Sequence, residues 1–336
     1  MCGLALEQGD DDMLNTFSAL NSPRRMWFFL SLVAVMLVTG RDAVAQENVS
    51  ELKRRISVLE TENRKLREKL DQIIEIVGDM PAVRHAGQNT AQGFRLFIEP
   101  GDWGSSSLAD TKKVCESVTD VFLPHLADRA YAPFLIQNDV SGPITLYRRG
   151  ENGEYIIRVN TRDRAWAQLA FQFAHELCHV VCNYRDANNP QLWFEETLCE
   201  CASLFALRRM ALTWKTNPPY SNWKPYASAL ADYAADRLKV NNSERESAQE
   251  IFERNRDKLE ETGTNRELNN RLAAKLLPLF EAEPDGWESL QYLNKGQPDE
   301  NLDFEVYLRG WHRRAADSQK KFVEKVAGVF GFNLKI

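Results

Sequence analysis

One stretch limits what this chain can fold into more than any other. His175-Glu176-Leu177-Cys178-His179 lies inside an apolar run with helical spacing: Leu169, Phe171, Phe173, Ala174, Leu177 and Val180. That spacing predicts a helix from about Asp163 to Tyr184. Residues i and i+4 sit one turn apart on the same face, so both imidazoles can reach one Zn²⁺ at about 2.0 to 2.1 Å. Glu176 is offset around the helix. It can contact a metal's water without ligating the metal, and so can act as general base. The plainer reading, two histidines on an ordinary core or surface helix, stays open on these five residues alone.

The elements around this helix predict the fold class. Before it, short alternating segments bounded by turn residues read as strands at Phe94 to Ile98, Phe134 to Gln137, Ile144 to Arg148 and Tyr155 to Val159, with a helix from Leu108 to Leu126 after the first. After it, nearly everything reads helical: Trp193 to Met210, Tyr226 to Leu238, Ser243 to Leu259, Arg266 to Phe280 and Glu305 to Val329. A small sheet ahead of a helical C-terminal half is an α+β arrangement, expected over residues 93–336, with the sheet and motif helix in 93–190 and the helical half in 191–336.

The residues downstream of His179 narrow the chemistry. A metzincin would continue with a glycine and a third histidine, but Cys182 and Arg185 stand at those positions. Instead the next predicted helix carries Trp193-Phe194-Glu195-Glu196-Thr197-Leu198-Cys199-Glu200. The segment resembles that of the gluzincin peptidases, in which a second helix supplies a glutamate as third zinc ligand. The resemblance covers roughly Tyr155 to Met210, and the C-terminal half only in outline. It implies a zincin-like fold, Zn²⁺ held by His175, His179 and Glu196, and Glu200 accepting the other N–H of a ligating histidine, His175. Glu195 is the rival ligand, and Thr197 departs from the glycine common in this segment. Also by resemblance, Tyr155 to Asn160 is the edge strand that an extended substrate joins, and Tyr307 or His312 is the donor to the oxyanion. The implied activity is hydrolysis of a peptide bond, with zinc activating water and Glu176 as base. A zinc hydrolase of a non-peptide amide or ester, and an inactive zincin-like scaffold, remain the alternatives. The G-x-M-E-N sequence of related aminopeptidases is absent, so aminopeptidase activity is not supported.

The N-terminal part addresses location and assembly. Arg24-Arg25, the apolar run Met26 to Gly40 and Ala43-x-Ala45 stand in the order of a secretory signal peptide, expected over residues 1–45. The run is shorter than the roughly 20 residues that span a bilayer, but an uncleaved membrane anchor stays open. Translation from Met13 is expected, because the acidic residues before it do not suit a signal. From Val49 to Val77 apolar residues repeat in a 3,4 pattern, with Val49, Ile56, Asn63, Leu70 and Val77 at a and Leu52, Leu59, Leu66 and Ile73 at d. This predicts a coiled coil over residues 46–78 that joins two copies as a parallel homodimer, with Arg55 facing Glu60 and Glu62 facing Arg67. A helix packed on its own domain is the alternative. Residues 79–92 read as a linker.

Composition removes one class of partner. A formal charge of −6 without a Lys/Arg stripe offers nothing to grip a phosphate backbone, so nucleic-acid binding is not expected. The expected partner is a peptide or protein substrate outside the cytoplasm, secreted or periplasmic. In that oxidising setting, cleavage after Ala45 leaves Cys115, Cys178, Cys182, Cys199 and Cys201, an odd number. Cys182 with Cys199 is the expected disulfide; buried thiols and a separate Cys₄ zinc site are the alternatives.

Overall fold

Four short strands form a mixed sheet in the order β1-β2-β4-β3: β1 (Leu96–Ile98), β2 (Phe134–Asn138), β3 (Ile144–Thr145) and β4 (Tyr155–Val159). They belong to a computed structural model that describes residues 52–59, 61–62, 64–65, 93–126, 129–241, 246–296 and 303–334. β1 and β4 run parallel to β2, with Leu96 opposite Phe134 and Phe134 opposite Tyr155. β3 runs antiparallel to β4, with Thr145 opposite Ile157. The edge strands are therefore β1 and β3. The expectation that Tyr155 to Asn160 forms the edge is corrected: β4 is paired on both sides, and its nearly continuous burial is what a strand covered on both faces requires.

Helix α1 (Leu108–Phe122) starts at Ser107, whose hydroxyl accepts the Asp110 N–H at 3.0 Å, and buries Val114, Cys115, Val118 and Phe122 along one face. The motif helix is α2 (Trp166–Val181), most of whose side chains are enclosed. It packs on α3 (Leu192–Trp214), which is buried around nearly its whole circumference and forms the axis of the helical half. Around this axis lie α4 (Ala227–Asn241), α5 (Ala248–Thr262), α6 (Arg266–Ala282), α7 (Phe304–Arg314) and α8 (Asp317–Val329), with a 3₁₀ segment at Pro284–Tyr292. The first turn of α3 is clamped by aromatics from distant helices. Trp193 stands 4.6 Å from Phe304 and 5.4 Å from Phe252, ring centre to ring centre, and its Nε1–H donates to Gln191. Trp103, Trp166, Trp214, Trp223 and Trp287 are all core.

A small sheet beside a large helical array is the α+β arrangement expected from the order of elements. The single helix expected from Glu305 to Val329 is two, because Ala315 and Ala316 are extended at ψ 145° and 150°. All five cysteines downstream of Ala45 carry free, buried thiols, so the expected Cys182 to Cys199 disulfide is corrected. Burial pushes the Cys182 and Cys199 thiols up. It pushes Cys178 up too, but contact with the sulfurs of Cys182 and Cys199 outweighs burial and lowers it.

Contacts divide the chain into Met1–Gln88 and Asn89–Ile336. In the first unit the described residues are helical, and Leu52, Ile56 and Leu59 of the heptad seam are 59%, 48% and 58% exposed, so the single chain leaves these apolar groups in water. The expected signal peptide, the remaining heptad positions and the linker lie outside the described residues. Among the described residues no helix is long and apolar enough to cross a membrane.

Candidate metal centre

The packing of α2 on α3 brings the motif histidines against the first turns of α3. His175 Nε2 lies 3.1 Å from Glu196 Oε2, and His179 Nε2 lies 3.6 Å from Glu196 Oε1. The two rings therefore face different oxygens of one carboxylate, each at a separation close to the roughly 3.3 to 3.6 Å between ligand atoms of a tetrahedral zinc site. The donor set, two imidazoles and one carboxylate, also suits zinc. Cys199 Sγ comes within 4.8 Å of ligand atoms of both histidines. Cys199 is fully enclosed and does not line the cleft, so a metal taken there has no open position to offer. Glu196 lines the cleft together with both histidines.

The far nitrogens of the two rings are held differently. His179 Nδ1–H donates to Glu195 Oε1 at 2.7 Å. His175 Nδ1 faces Glu200 Oε2 at 3.6 Å, an ion-pair separation rather than a hydrogen bond. Glu195, the rival ligand by sequence, is thus turned away from the Nε2 side. Its other oxygen accepts from Asn294 Nδ2 at 2.6 Å, and Asn294 Oδ1 accepts from the Tyr307 hydroxyl at 3.0 Å. A buried relay runs from α7 to the imidazole: Tyr307, Asn294, Glu195, His179.

The charges explain the titration of the metal-free site. Burial presses the His179 pKa down, but Glu195, Glu196 and Glu176 outweigh it and raise it to about 9. His175 lies well above its ordinary value on the same balance, with Glu196 and Glu200 opposing burial. Glu196 goes the other way: burial pushes it up, and His175, His179 and Arg266 bring it below its ordinary value.

Glu176 is anchored from the sheet. Thr145 Oγ1 on β3 stands 2.8 Å from Glu176 Oε2 and 2.9 Å from its carbonyl oxygen, and its single proton donates to this pair of acceptors. Beyond the end of α2, Asn183 takes a left-handed conformation at φ 58°, which asparagine tolerates. The chain there turns back, and the Tyr184 hydroxyl donates to Leu146 O at 2.7 Å, tying the end of the motif helix to edge strand β3. A cleft of about 500 Å³ opens between that strand, α2 and the start of α6, with His175, Glu176, His179 and Glu196 in its wall.

The other expected residues fall elsewhere. Tyr307 is 1% exposed and donates its hydroxyl proton to Asn294, so it is a positioning residue, and its expected role as oxyanion donor is corrected. His312 pairs with Glu324 at 3.2 Å between α7 and α8 and does not line the cleft, so the same role is corrected for it. Thr197 donates to Trp193 O at 2.8 Å inside α3 and shapes nothing in the cleft. The tyrosines that line the cleft wall are Tyr147, Tyr184 and Tyr233. Thr145, Asn294 and the relay role of Glu195 carry no local sequence signal.

No family model matches the chain, and comparison with curated proteins finds no relative.

Proposed function

We propose that residues 93–336 form a zinc-dependent peptidase of the gluzincin type, with His175, His179 and Glu196 as ligands and Glu176 as general base. The observation that carries this reading is the convergence of both Nε2 atoms on the Glu196 carboxylate beside a base held by its own hydrogen bond, all in the wall of one cleft. Bound zinc supplies Lewis acidity toward water and the scissile carbonyl. The chain's residues do the rest. Glu195 holds the His179 Nδ1 proton by a hydrogen bond and the Glu200 carboxylate faces His175 Nδ1 as a nearby charge, so that each Nε2 is left for the cleft. Glu176 takes a proton from the attacking water and returns it to the leaving amine, while Thr145 fixes its carboxylate. β3 closes the sheet order, and its unpaired side offers backbone groups to an extended peptide.

The test compares the zinc-loaded chain with its Glu176→Gln variant on a peptide mixture, read by mass spectrometry. Cleavage by the unaltered chain alone, at equal zinc content, is the expected result. Failure of the unaltered chain to cut any peptide while holding stoichiometric zinc overturns the peptidase reading. Export from the cytoplasm rests on the order of charges, apolar run and small residues up to Ala45. A parallel dimer through residues 49–77 is supported by the exposure of Leu52, Ile56 and Leu59. A monomer in analytical ultracentrifugation at micromolar concentration overturns the dimer.

A further inference from the structure

The charges around the cleft are sorted by depth. Among the described residues its wall holds four carboxylates, Glu176, Glu195, Glu196 and Glu200, and each is already directed at an imidazole or at Thr145. Apart from the two histidines, every other ionisable cation of that wall is an arginine: Arg185, Arg237 and Arg266. Arg237 and Arg266 are exposed and Arg185 is half-buried, so the arginines stand outside the carboxylates. They also flank the ligands. Arg237 lies over the ring of Phe171, one turn before His175, at 4.8 Å and donates to the Tyr233 hydroxyl at 3.0 Å. Arg185 stands beyond the C-terminal end of α2, past His179, and the Arg266 guanidinium, at the first residue of α6, makes no ion pair among the described residues. The N-terminus of α6 adds its own partial positive charge on the same side, since Thr264, Arg266 and Asn270 line the cleft together.

We propose that this cleft selects anionic peptides, in which acidic side chains on either side of the scissile bond lie against Arg237, Arg266 and Arg185 of its wall. The proposal rests on the peptidase reading for its placement of the scissile bond. Its physical basis is independent of the chemistry: a concave wall whose outer charges are all of one sign focuses its field on the ligand. A guanidinium that meets a carboxylate at such a rim gains charge-assisted hydrogen bonds. A lysine in the same place meets like charge.

The experiment uses the zinc-loaded full chain and fluorescence-quenched nonamer peptides that carry glutamate, glutamine or lysine at one position at a time. The expected result is a kcat/KM about tenfold higher for glutamate than for lysine on at least one position each side of the cut, with glutamine between. The ratio is expected to fall as sodium chloride is raised to about 0.5 M, because rim charges are screened. Arg266→Glu is expected to invert the preference at the position it serves. Rates equal within about twofold at every position, or faster cleavage of the lysine peptides, overturn the proposal. A second arm needs no turnover: zinc-loaded Glu176→Gln protein is titrated with fluorescein-labelled versions of the same peptides and read by anisotropy. If nothing is cleaved but glutamate peptides bind about tenfold tighter than lysine peptides, the peptidase reading falls and the selectivity stands. If peptides are cut or bound without regard to charge, or none binds at all, the selectivity is wrong.

Discussion

Exchanging Glu195 for glutamine preserves shape and removes only a charge and one acceptor, which makes it the sharpest test of the relay behind His179. The carboxylate accepts twice, from His179 Nδ1 at 2.7 Å and from Asn294 Nδ2 at 2.6 Å. A glutamine offers one oxygen and one NH₂: with its oxygen on His179 a donor faces the Asn294 amide, and with its oxygen on Asn294 its NH₂ is satisfied only if His179 gives up the Nδ1 proton. Flipping Asn294 only moves the defect, because the Tyr307 hydroxyl then loses its acceptor in a fully buried position. One unsatisfied buried group costs about 1 to 3 kcal/mol. The lost charge adds a pH-dependent part. His179 has its pKa raised to about 9, so its stabilisation of the metal-free protein is complete below the unfolded value of about 6.5 and is lost as pH rises through about 9. A rise of that size corresponds to about 3 kcal/mol, to which the Glu195 carboxylate contributes most. Urea unfolding of the metal-free proteins is therefore expected to show a large Glu195→Gln deficit near pH 6 that shrinks by pH 9.5 to the hydrogen-bond defect alone. Zinc affinity by itself is a poor readout, because losing the carboxylate weakens the ligand while also freeing the ring from its proton. Proton release separates these effects. Calorimetry at pH 7.5 in buffers of different ionisation enthalpy is expected to give about two protons displaced per zinc in the unaltered chain and about one in the variant. A deficit of equal size at both pH values, or an unchanged proton count, refutes the relay.

Other contacts can be tested in the same way. Thr145→Val removes the hydroxyl that holds Glu176 Oε2 at 2.8 Å; turnover is expected to fall about tenfold and stability by about 1 kcal/mol with zinc content unchanged. An unaltered kcat would show that Thr145 does not orient the base. Asp303→Ala strips the cap of α7, whose carboxylate accepts the Glu305 and Val306 N–H groups, and is expected to cost about 1 kcal/mol in denaturant unfolding at pH 7. Burial raises the Asp303 pKa, but Arg256 and these amides outweigh it and hold it below the ordinary carboxylate range. Its contribution is thus present above about pH 4 and lost as pH falls through the lower folded value, and the difference between variant and parent is expected to shrink as the pH is taken below 4. Its side chain is 44% exposed, so Arg256 adds little beyond the cap. Finally, iodoacetamide is expected to leave Cys115, Cys178, Cys182, Cys199 and Cys201 unmodified in the native protein and to alkylate all of them after unfolding without reductant, read by intact mass. Protection that persists in the unfolded chain until reductant is added would establish a disulfide.

The parts of this molecule legible in its sequence are those governed by local periodicity. The motif helix announces itself through the spacing of Leu169, Phe173, Leu177 and Val180, and its histidines sit on one face because helix geometry leaves no other arrangement. Glu196 is within reach of sequence reasoning because its helix is the next along the chain and packs on α2. The partners of these residues are not legible. Thr145 stands 31 positions from Glu176 on a two-residue strand, and Asn294 stands 99 positions from Glu195 in a stretch that reads as an ordinary turn. Only the packing of the whole domain brings them in. The edge strand escapes for a related reason: strand order is a tertiary fact, although the unbroken apolar run of Tyr155 to Ile157 is itself a sign of a central strand. The break at Ala315-Ala316 defeats propensity outright, since alanine is the best helix former. There the chain bends while Arg314 donates to Leu293 O at 2.8 Å and Trp311 donates to Ser289 O at 2.8 Å, contacts that no local pattern encodes.

The relay also orders events in time. A chain is made, and threads through any translocation channel, from its N-terminus. His175, Glu176 and His179 emerge long before Asn294 and Tyr307, the residues that close the contact to Glu195 from the far end of the sequence. Until α7 has docked, the ring of His179 is oriented by Glu195 without its backing, and a partly made chain therefore carries its reactive residues in an unfinished setting.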